Sequence, residues 1–319
     1  MKILVKGAGV AGLVMAHELM QRGGAQITVC DVRPQSGGGA SWFAGGMLAP
    51  FCERESAPKV VLEFGRHAAD WWAAALPCHV VRRGSLVLAM PRDEGELRRF
   101  ATKTSGHERL DSAGVEALEP DLGNRFKHGL FYGGEAHLDP RRALSALHEK
   151  LRASGVIFQF NTDEDGRTGF DYVFDCTGLK SVRSGLRGVR GEMLILHAPD
   201  VALSRPVRLL HPRIPLYIVP RANQHFMIGA TMIESNHDGP ITARSLMELL
   251  NAAYSVHPGF GEASVVETGV GIRPAYTDNL PQVHQDGKNI SVNGFYRHGF
   301  LLAPAMARQA ADLFRKKEA

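Results

Sequence analysis

Three glycines near the start of the sequence, Gly7, Gly9 and Gly12, have the spacing of a pyrophosphate-binding turn. Gly7 allows a tight turn from strand to helix, Gly9 lets the backbone approach a phosphate, and Gly12 lets the helix pack closely on the strand. Free N–H groups at the start of the predicted helix, where Val10 and Ala11 stand, would attract the phosphates. The pattern predicts a dinucleotide site.

An acidic residue, Asp31, stands at the end of a second predicted strand, nineteen residues after Gly12. A carboxylate at this place accepts hydrogen bonds from the hydroxyls of the adenosine ribose. Val32 and Arg33 follow it, and Arg33 could indicate a 2′-phosphate. Because Asp31 would repel that phosphate, the sequence favours FAD or NAD over NADP.

The segment 37–50 has too many glycines and small residues for a stable helix or strand. A nicotinamide-binding domain would continue with a helix here, whereas a loop of small residues suits close passage over a flat, bulky ring. A flexible linker is the alternative, and the apolar Trp42 and Phe43 disfavour it. We therefore predict FAD, with this part of its site formed by Ser41, Ala44, Gly45, Gly46 and Met47.

These motifs resemble the D-amino-acid oxidase superfamily, and especially the glycine oxidases of bacterial thiamine biosynthesis. The likeness spans nearly the whole chain and rests on the loop above and on residues 171–178, 217–221, 228–231, 271–274 and 294–304. It implies non-covalent FAD, contacted by Thr177 and Gly178, with Arg273 near the flavin. Relative to the family, residues 162–168 look like a shortened hairpin.

Arg297 stands in an apolar loop with no acidic residue nearby in the sequence. A buried arginine is costly unless it is paired, and its planar fork suits a substrate carboxylate. The resemblance implies this role for Arg297; a surface or domain-bridging arginine is the alternative. We further expect Tyr217 as a second donor to the carboxylate, and Arg273 and Met47 as cavity residues. A core tyrosine, a structural salt bridge and a core methionine are the respective alternatives.

A predicted helix from Pro304 to Lys316 follows a short strand over 290–293. The positive end of a helix would stabilise the negative charge that reduced flavin develops at N1 and the C2 carbonyl. An ordinary junction between a loop and a helix is the alternative. We expect four residues to lie against that end of the ring: Gly299, Phe300, Leu301 and Leu302.

Composition argues against several other classes of protein. The net charge is +4 and the basic residues are scattered, which does not indicate a nucleic-acid surface. The four cysteines and fourteen histidines show neither disulfide nor metal-site spacing, and no cysteine follows Cys176 to attach a flavin covalently. No signal peptide and no apolar stretch long enough for a membrane span is recognised, so we expect a cytoplasmic protein.

Other patterns predict the elements that must position these residues. Helices are expected over 64–75, 141–154 and 242–254, and a hairpin over 80–89. A run of strands without alternating helices, at 193–196, 207–210, 216–219 and 226–228, is typical of an antiparallel sheet.

We therefore predict an α/β fold: a doubly wound, Rossmann-like FAD domain of the glutathione-reductase type, with an inserted α+β substrate domain built on an antiparallel sheet. The FAD domain would comprise residues 1–75, 140–190 and 265–319, and the substrate domain residues 76–139 and 191–264. The site would lie between them.

The expected reaction is FAD-dependent oxidative deamination of glycine or a small relative, with dioxygen as the electron acceptor. A D-amino-acid or sarcosine-type dehydrogenase that uses another acceptor is the first alternative. A flavin-binding regulatory protein without turnover is the second. Apolar helices such as 64–75 permit a homo-oligomer without requiring one.

Overall fold

The computed structural model describes residues 1–162, 169–181, 183, 185–211 and 216–315. Its strands, in chain order, are β1 Lys2–Lys6, β2 Gln26–Asp31, β3 Met47–Leu48, β4 Val80–Val81, β5 Ser85–Ala89, β6 Glu108–Asp111, β7 His128–Tyr132, β8 Ala136–Leu138, β9 Ile157–Phe160, β10 Tyr172–Asp175, β11 Arg187–His197, β12 Val207–Leu210, β13 Leu216–Pro220, β14 His225–Gly229, β15 Ile233–Glu234, β16 Ser264–Ala275, β17 Gln282–Asp286 and β18 Asn289–Asn293.

The helices are α1 Val10–Arg22, α2 Pro50–Glu53, α3 Lys59–Gly65, α4 Ala68–Ala75, α5 Glu94–Lys103, α6 Ser112–Leu118, α7 Pro140–Ala153, α8 Ala243–Val256 and α9 Gly299–Arg315. The expected hairpin over 162–168 lies outside the described residues, apart from Thr162. No helix in the described ranges is both long and apolar enough to cross a bilayer.

A six-stranded sheet has β1 near its centre, in the order β17-β18-β10-β1-β2-β9. All neighbouring strands are parallel except the edge strand β17, which pairs antiparallel with β18. Ile3, Leu4 and Val5 are fully buried, as expected for a central parallel strand whose two faces are both covered. Helices α1, α7 and α9 contribute to the core beside this sheet. The predicted Rossmann-like fold is confirmed.

A nine-stranded sheet supplies the second layer, in the order β15-β11-β14-β13-β12-β5-β7-β6, with β16 also paired to β11. Every pair is antiparallel except β5 with β12. Helix α8 packs against it in a separate core. The predicted antiparallel sheet is therefore present, and both predicted insertions contribute strands to it.

The pairing of strands crosses two of the expected domain boundaries. Strand β16 pairs with β11 along nearly its whole length, so residues 265–275 and 187–190 lie in the nine-stranded sheet rather than beside β1. The predicted FAD domain included both segments. The division into two domains stays a prediction.

The hairpin predicted over 80–89 is wrong. Strand β4 pairs with β8 in a small three-stranded sheet, whereas β5 lies between β7 and β12. All five residues of β5 are buried, so the strand needs covering on both faces and neighbours on both edges. A central position in the large sheet provides this, and a local hairpin would not.

The single helix predicted over 64–75 is also wrong, because the structure has α3 and α4 with a break at Arg66 and His67. Gly65 ends α3 directly against α9: a Cβ added there would lie 2.7 Å from Leu301 Cγ. Phe64, expected on the buried face, is 41% exposed. Close packing on α9 sets this boundary, and periodicity along the chain does not reveal it.

Helix α9 begins at Gly299, five residues before the predicted start at Pro304. A proline inside a helix cannot donate to the carbonyl four residues earlier, here Phe300. The indole Nε1 of the buried Trp72 donates to that carbonyl oxygen at 2.8 Å. The helix therefore continues through Pro304 because a distant side chain satisfies the acceptor that proline leaves unpaired.

Candidate active site

A cavity of about 700 Å³ opens at the carboxyl end of β1 and reaches the nine-stranded sheet. This volume lies within the range of sites that hold cofactors and small ligands. Seventeen of the twenty predicted cofactor residues line it: Gly7, Gly9, Val10, Ala11, Asp31, Val32, Arg33, Ser41, Ala44, Gly45, Gly46, Met47, Thr177, Gly178, Arg273, Gly299 and Phe300.

The remaining three predicted cofactor residues are not among its lining residues. Gly12 packs under the turn instead, where a Cβ would lie 1.7 Å from the Gly7 carbonyl oxygen. The side chains of Leu301 and Leu302 are buried in the core beside the six-stranded sheet. A helix turns its side chains to different sides, so only the first residues of α9 face the cavity.

The glycine turn leaves no room for side chains, as a pyrophosphate cradle requires. Gly7 has φ +96°, and a Cβ there would lie 2.6 Å from the Cys176 carbonyl oxygen. A Cβ on Gly9 would lie 3.2 Å from Ser41 Oγ, which itself accepts a hydrogen bond from Val10 N at 3.1 Å. The start of α1 and the 37–50 loop therefore close on the same point of the cavity.

The acidic residue at the end of β2 is buried and fixed by backbone donors. Asp31 Oδ2 accepts from Ala8 N at 2.7 Å, and Oδ1 accepts from Arg33 N at 2.9 Å. The Arg33 guanidinium donates to the Gly38 carbonyl and lies 3.8 Å from Asp31. Because Arg33 is already engaged, the geometry agrees with a ribose site without a 2′-phosphate.

The 37–50 loop is held in place, so the flexible-linker alternative is wrong. Contrary to the prediction, its residues 47–48 form a short strand, β3, because β8 supplies a pairing partner. Arg141 forms two short bonds to Glu267, at 2.6 and 2.7 Å, and its guanidinium lies over the Trp42 ring at 5.0 Å. Arg221 Nη2 donates to the Gly45 carbonyl at 2.9 Å. At Gly46, φ is +71° and a Cβ would meet the Leu138 carbonyl oxygen at 2.1 Å. Small residues therefore pass along the cavity wall in a fixed path.

Two helix N-termini meet at the cavity. A Cβ on Gly299, the first residue of α9, would lie 3.1 Å from Val10 Cγ1 at the start of α1. Thr177 and Gly178 stand beside them, and Asn293 Nδ2 donates to the Gly178 carbonyl at 3.2 Å. The positive ends of both helices thus face the space that a dinucleotide's negative groups would occupy.

Arg297 lines the cavity as predicted, but it has an acidic partner. Its Nη2 lies 2.6 Å from Glu53 Oε2 and donates to Ser56 Oγ at 2.8 Å. Glu53 Oε2 is also 2.7 Å from His298 Nε2. This ion pair could not be predicted from local sequence, because Glu53 is 244 positions away from Arg297.

Tyr217 also lines the cavity, and its hydroxyl lies between two charged groups. It accepts from Arg208 Nη1 at 3.0 Å and donates to Glu53 Oε1 at 3.4 Å. Burial raises the pKa of Tyr217, so the hydroxyl stays protonated. Arg208 was not predicted, although an arginine within the apolar run of β12 was a usable signal.

Among the arginines that line the cavity, Arg273 is the one without an ion-paired carboxylate in the described residues. Its Nη1 donates to the Thr231 carbonyl at 2.9 Å, and burial lowers its pKa to about 10, with the charge of Arg297 acting in the same direction. Gly191 makes room for it: a Cβ there would lie 2.2 Å from Arg273 Nη2. Arg273 thus combines partial burial, a fixed position and an uncompensated charge facing the cavity.

A second cavity of about 360 Å³ adjoins the first. Four residues line both cavities: Arg208, Met232, Tyr296 and Arg297. Glu55 lines only the second cavity, and Glu53 only the first. Across the described ranges, no three His, Cys, Asp or Glu side chains are grouped to hold a metal ion.

Comparison with known proteins identifies the family. Residues 2–313 match the family model for DAO, described as FAD dependent oxidoreductase. The chain belongs to this family. FAD is accordingly its cofactor, and the predicted relationship to D-amino-acid oxidase is confirmed.

Two relatives of this DAO-family enzyme are informative. A Rhizobium etli protein, provisionally named thiamine biosynthesis oxidoreductase ThiO, is 60% identical over 313 residues, covering 98% of this chain and 95% of its own length. The glycine oxidase of Geobacillus kaustophilus is 27% identical over 356 residues, covering 99% and 93%. The crystal structure of a G. kaustophilus glycine oxidase superposes with a TM-score of 0.83 at 24% identity, covering 98% of this chain and 94% of that one.

Proposed function

We propose that this enzyme oxidises glycine or a similarly small amino acid in thiamine biosynthesis. The observation that carries the proposal is Arg273, a partly buried cation without a described carboxylate partner, facing the cavity lined by residues 44–47 and the start of α9. A charge withdrawn from water in this way is stable when a ligand supplies the counter-charge. The names of the two relatives support the substrate class and the pathway.

The protein's part in the reaction is to position the substrate. Arg273 would bind the substrate carboxylate through paired hydrogen bonds, and Arg297 and Tyr217 would line the same space from the Glu53 side. Met47 would cover the substrate from the 37–50 loop. Orientation of this kind can supply several kcal/mol of the barrier. No protein acid or base is required if the amine arrives neutral, so the rate should rise with pH.

Bound FAD would supply the two-electron acceptor for the hydride of the substrate α-carbon, and dioxygen would be the final oxidant, giving hydrogen peroxide. The imine product is released for hydrolysis to a keto acid and ammonia; glycine would yield glyoxylate. The N-terminus of α9, at Gly299 and Phe300, would stabilise the negative charge at the pyrimidine end of the cofactor. The expected cytoplasmic location and homo-oligomer stay predictions.

The test is an oxygen-electrode screen of purified, FAD-loaded protein against glycine, sarcosine and small D-amino acids. We expect oxygen consumption and peroxide formation with glycine, increasing with pH. Flavin reduction without oxygen consumption would instead favour the dehydrogenase alternative. If no amino acid reduces the flavin, the proposal fails and the regulatory alternative is favoured.

A further inference from the structure

Three guanidinium groups lie at the substrate end of the first cavity: Arg208, Arg273 and Arg297. Arg297 is paired with Glu53 at 2.6 Å, and Arg208 lies 3.6 Å from Glu55 on the side of the second cavity. Arg273 lacks any such partner in the part of the chain that the structure describes. Of these three arginines, one, Arg273, therefore has an uncompensated positive charge.

Glu53 neutralises Arg297, and this ion pair leaves Arg273 as the one uncompensated arginine of the three. It is 7% exposed, and both carboxylate oxygens are bonded, Oε2 by Arg297 and His298 and Oε1 by Tyr217. Although burial alone would raise it, the positive charge of Arg297 and the contact with His298 hold the pKa of Glu53 well below its usual range. Glu53 is thus a fixed negative charge in the cavity wall.

We infer that Glu53 is a specificity-determining residue that restricts the site to substrates with a single carboxylate. The inference rests on the proposed function. A substrate with one acid group satisfies Arg273 and leaves the ion pair of Glu53 with Arg297 intact. A second acid group would compete with Glu53 for Arg297, and the negative charge of Glu53 would repel it at short range.

The test measures anion binding, with acetate as the single-charge probe and malonate as the double-charge probe. In the FAD-loaded protein, calorimetry should show malonate binding about tenfold or more weakly than acetate, because of the repulsion by Glu53. This measurement needs no substitution and so does not depend on the folding of a variant. Malonate binding as tightly as acetate would overturn the inference.

Glu53→Gln keeps the shape of the side chain and removes its charge. We expect the ratio of malonate to acetate affinity to rise by about tenfold or more, because Arg297 becomes available to a second carboxylate. The matched control is Glu119→Gln, which removes a buried carboxylate that is paired with Arg205 and lines neither of the two cavities. A ratio that moves equally in both variants, or in neither, contradicts the role of Glu53.

Turnover provides a second measurement of the same property. Iminodiacetate is glycine with a second carboxymethyl group on nitrogen, and sarcosine is its single-charge counterpart. Glu53→Gln should raise kcat/KM for iminodiacetate relative to sarcosine, and an unchanged ratio in an active variant counts against the inference. If no amino acid is oxidised, the proposed function fails, while the acetate and malonate measurements still decide the role of Glu53.

Discussion

At the scale of single residues, two buried carboxyl groups near the end of the 37–50 loop have pKa values shifted in opposite directions. Glu53 has an arginine, a histidine and a tyrosine around it and is held ionised. Glu135 accepts a hydrogen bond from Cys52 N at 2.8 Å, and no described residue hydrogen-bonds its Oε2. Burial therefore raises the pKa of Glu135 to about 7.

Glu135 should make the protein less stable as the pH rises. Its pKa is higher folded than unfolded, so the folded state binds more protons between about pH 4.5 and 7, and stability falls across that range. The full effect is about 3 kcal/mol. Glu135→Gln should reduce the difference between the unfolding free energies at pH 5 and pH 8 by about 3 kcal/mol. Denaturant titrations that give parallel pH curves for the variant and the unaltered protein would contradict this.

The charge balance of the site predicts unequal roles for its arginines. Arg273→Met should weaken acetate binding by about a hundredfold, because it removes the uncompensated charge. Joint replacement of Glu53 by Gln and Arg297 by Met removes a neutral pair and should cost less than about tenfold. Calorimetry with acetate and KM for glycine check both. The opposite ranking would return the main carboxylate role to Arg297.

At the scale of elements, helix α9 depends on Trp72 across 228 positions of sequence. Trp72→Phe should cost about 1–3 kcal/mol beyond its change in volume, because the Phe300 carbonyl loses its donor. In a Pro304→Ala background the new backbone N–H can satisfy that carbonyl. We therefore expect a coupling of about 1–2 kcal/mol in a double-mutant cycle of unfolding free energies. Strictly additive costs would show that the indole bond is unimportant.

Local patterns were sufficient where an element's own residues determine its structure. Strands β1 and β12, the glycine turn and the path of the 37–50 loop follow from apolar runs and small residues. The break between α3 and α4, the separation of β4 from β5, and the start of α9 depend on contacts with distant elements. Glu53 was missed for the same reason, since only the fold brings it to Arg297. Arg273 was found through family resemblance, and its unpaired state required the structure.

At the scale of the whole molecule, one ion pair connects helix α7, beside the six-stranded sheet, to strand β16 of the nine-stranded sheet. Arg141 begins α7 beside the six-stranded sheet, Glu267 lies in β16 of the nine-stranded sheet, and Arg141 also donates to the Trp42 carbonyl at 3.3 Å. The pair therefore fixes the 37–50 loop relative to both sheets. Both side chains are partly exposed, which moderates the energy of the contact.

Glu267→Gln should weaken FAD binding by about fivefold, because the loop loses one anchor, which is worth roughly 1 kcal/mol at a partly exposed site. Fluorescence titration of the apoprotein with FAD measures this. Glu149→Gln is the matched control, since it breaks an exposed pair with Arg152 within α7 that does not contact the loop. Equal FAD affinities for the two variants would mean that the loop is held by its other contacts.

The side-by-side start of α1 and α9 also constrains how the enzyme is made. Val10 and Gly299 come from opposite ends of this sequence, yet they form adjoining parts of one cavity wall. A ribosome-bound chain that has not reached residue 299 carries the glycine turn without the opposite wall. It also leaves bare the apolar face of α1 that α9 covers. We therefore expect flavin loading to be completed only after residue 299 has been translated, and a prematurely terminated product to be a cofactor-free target for chaperones and proteases.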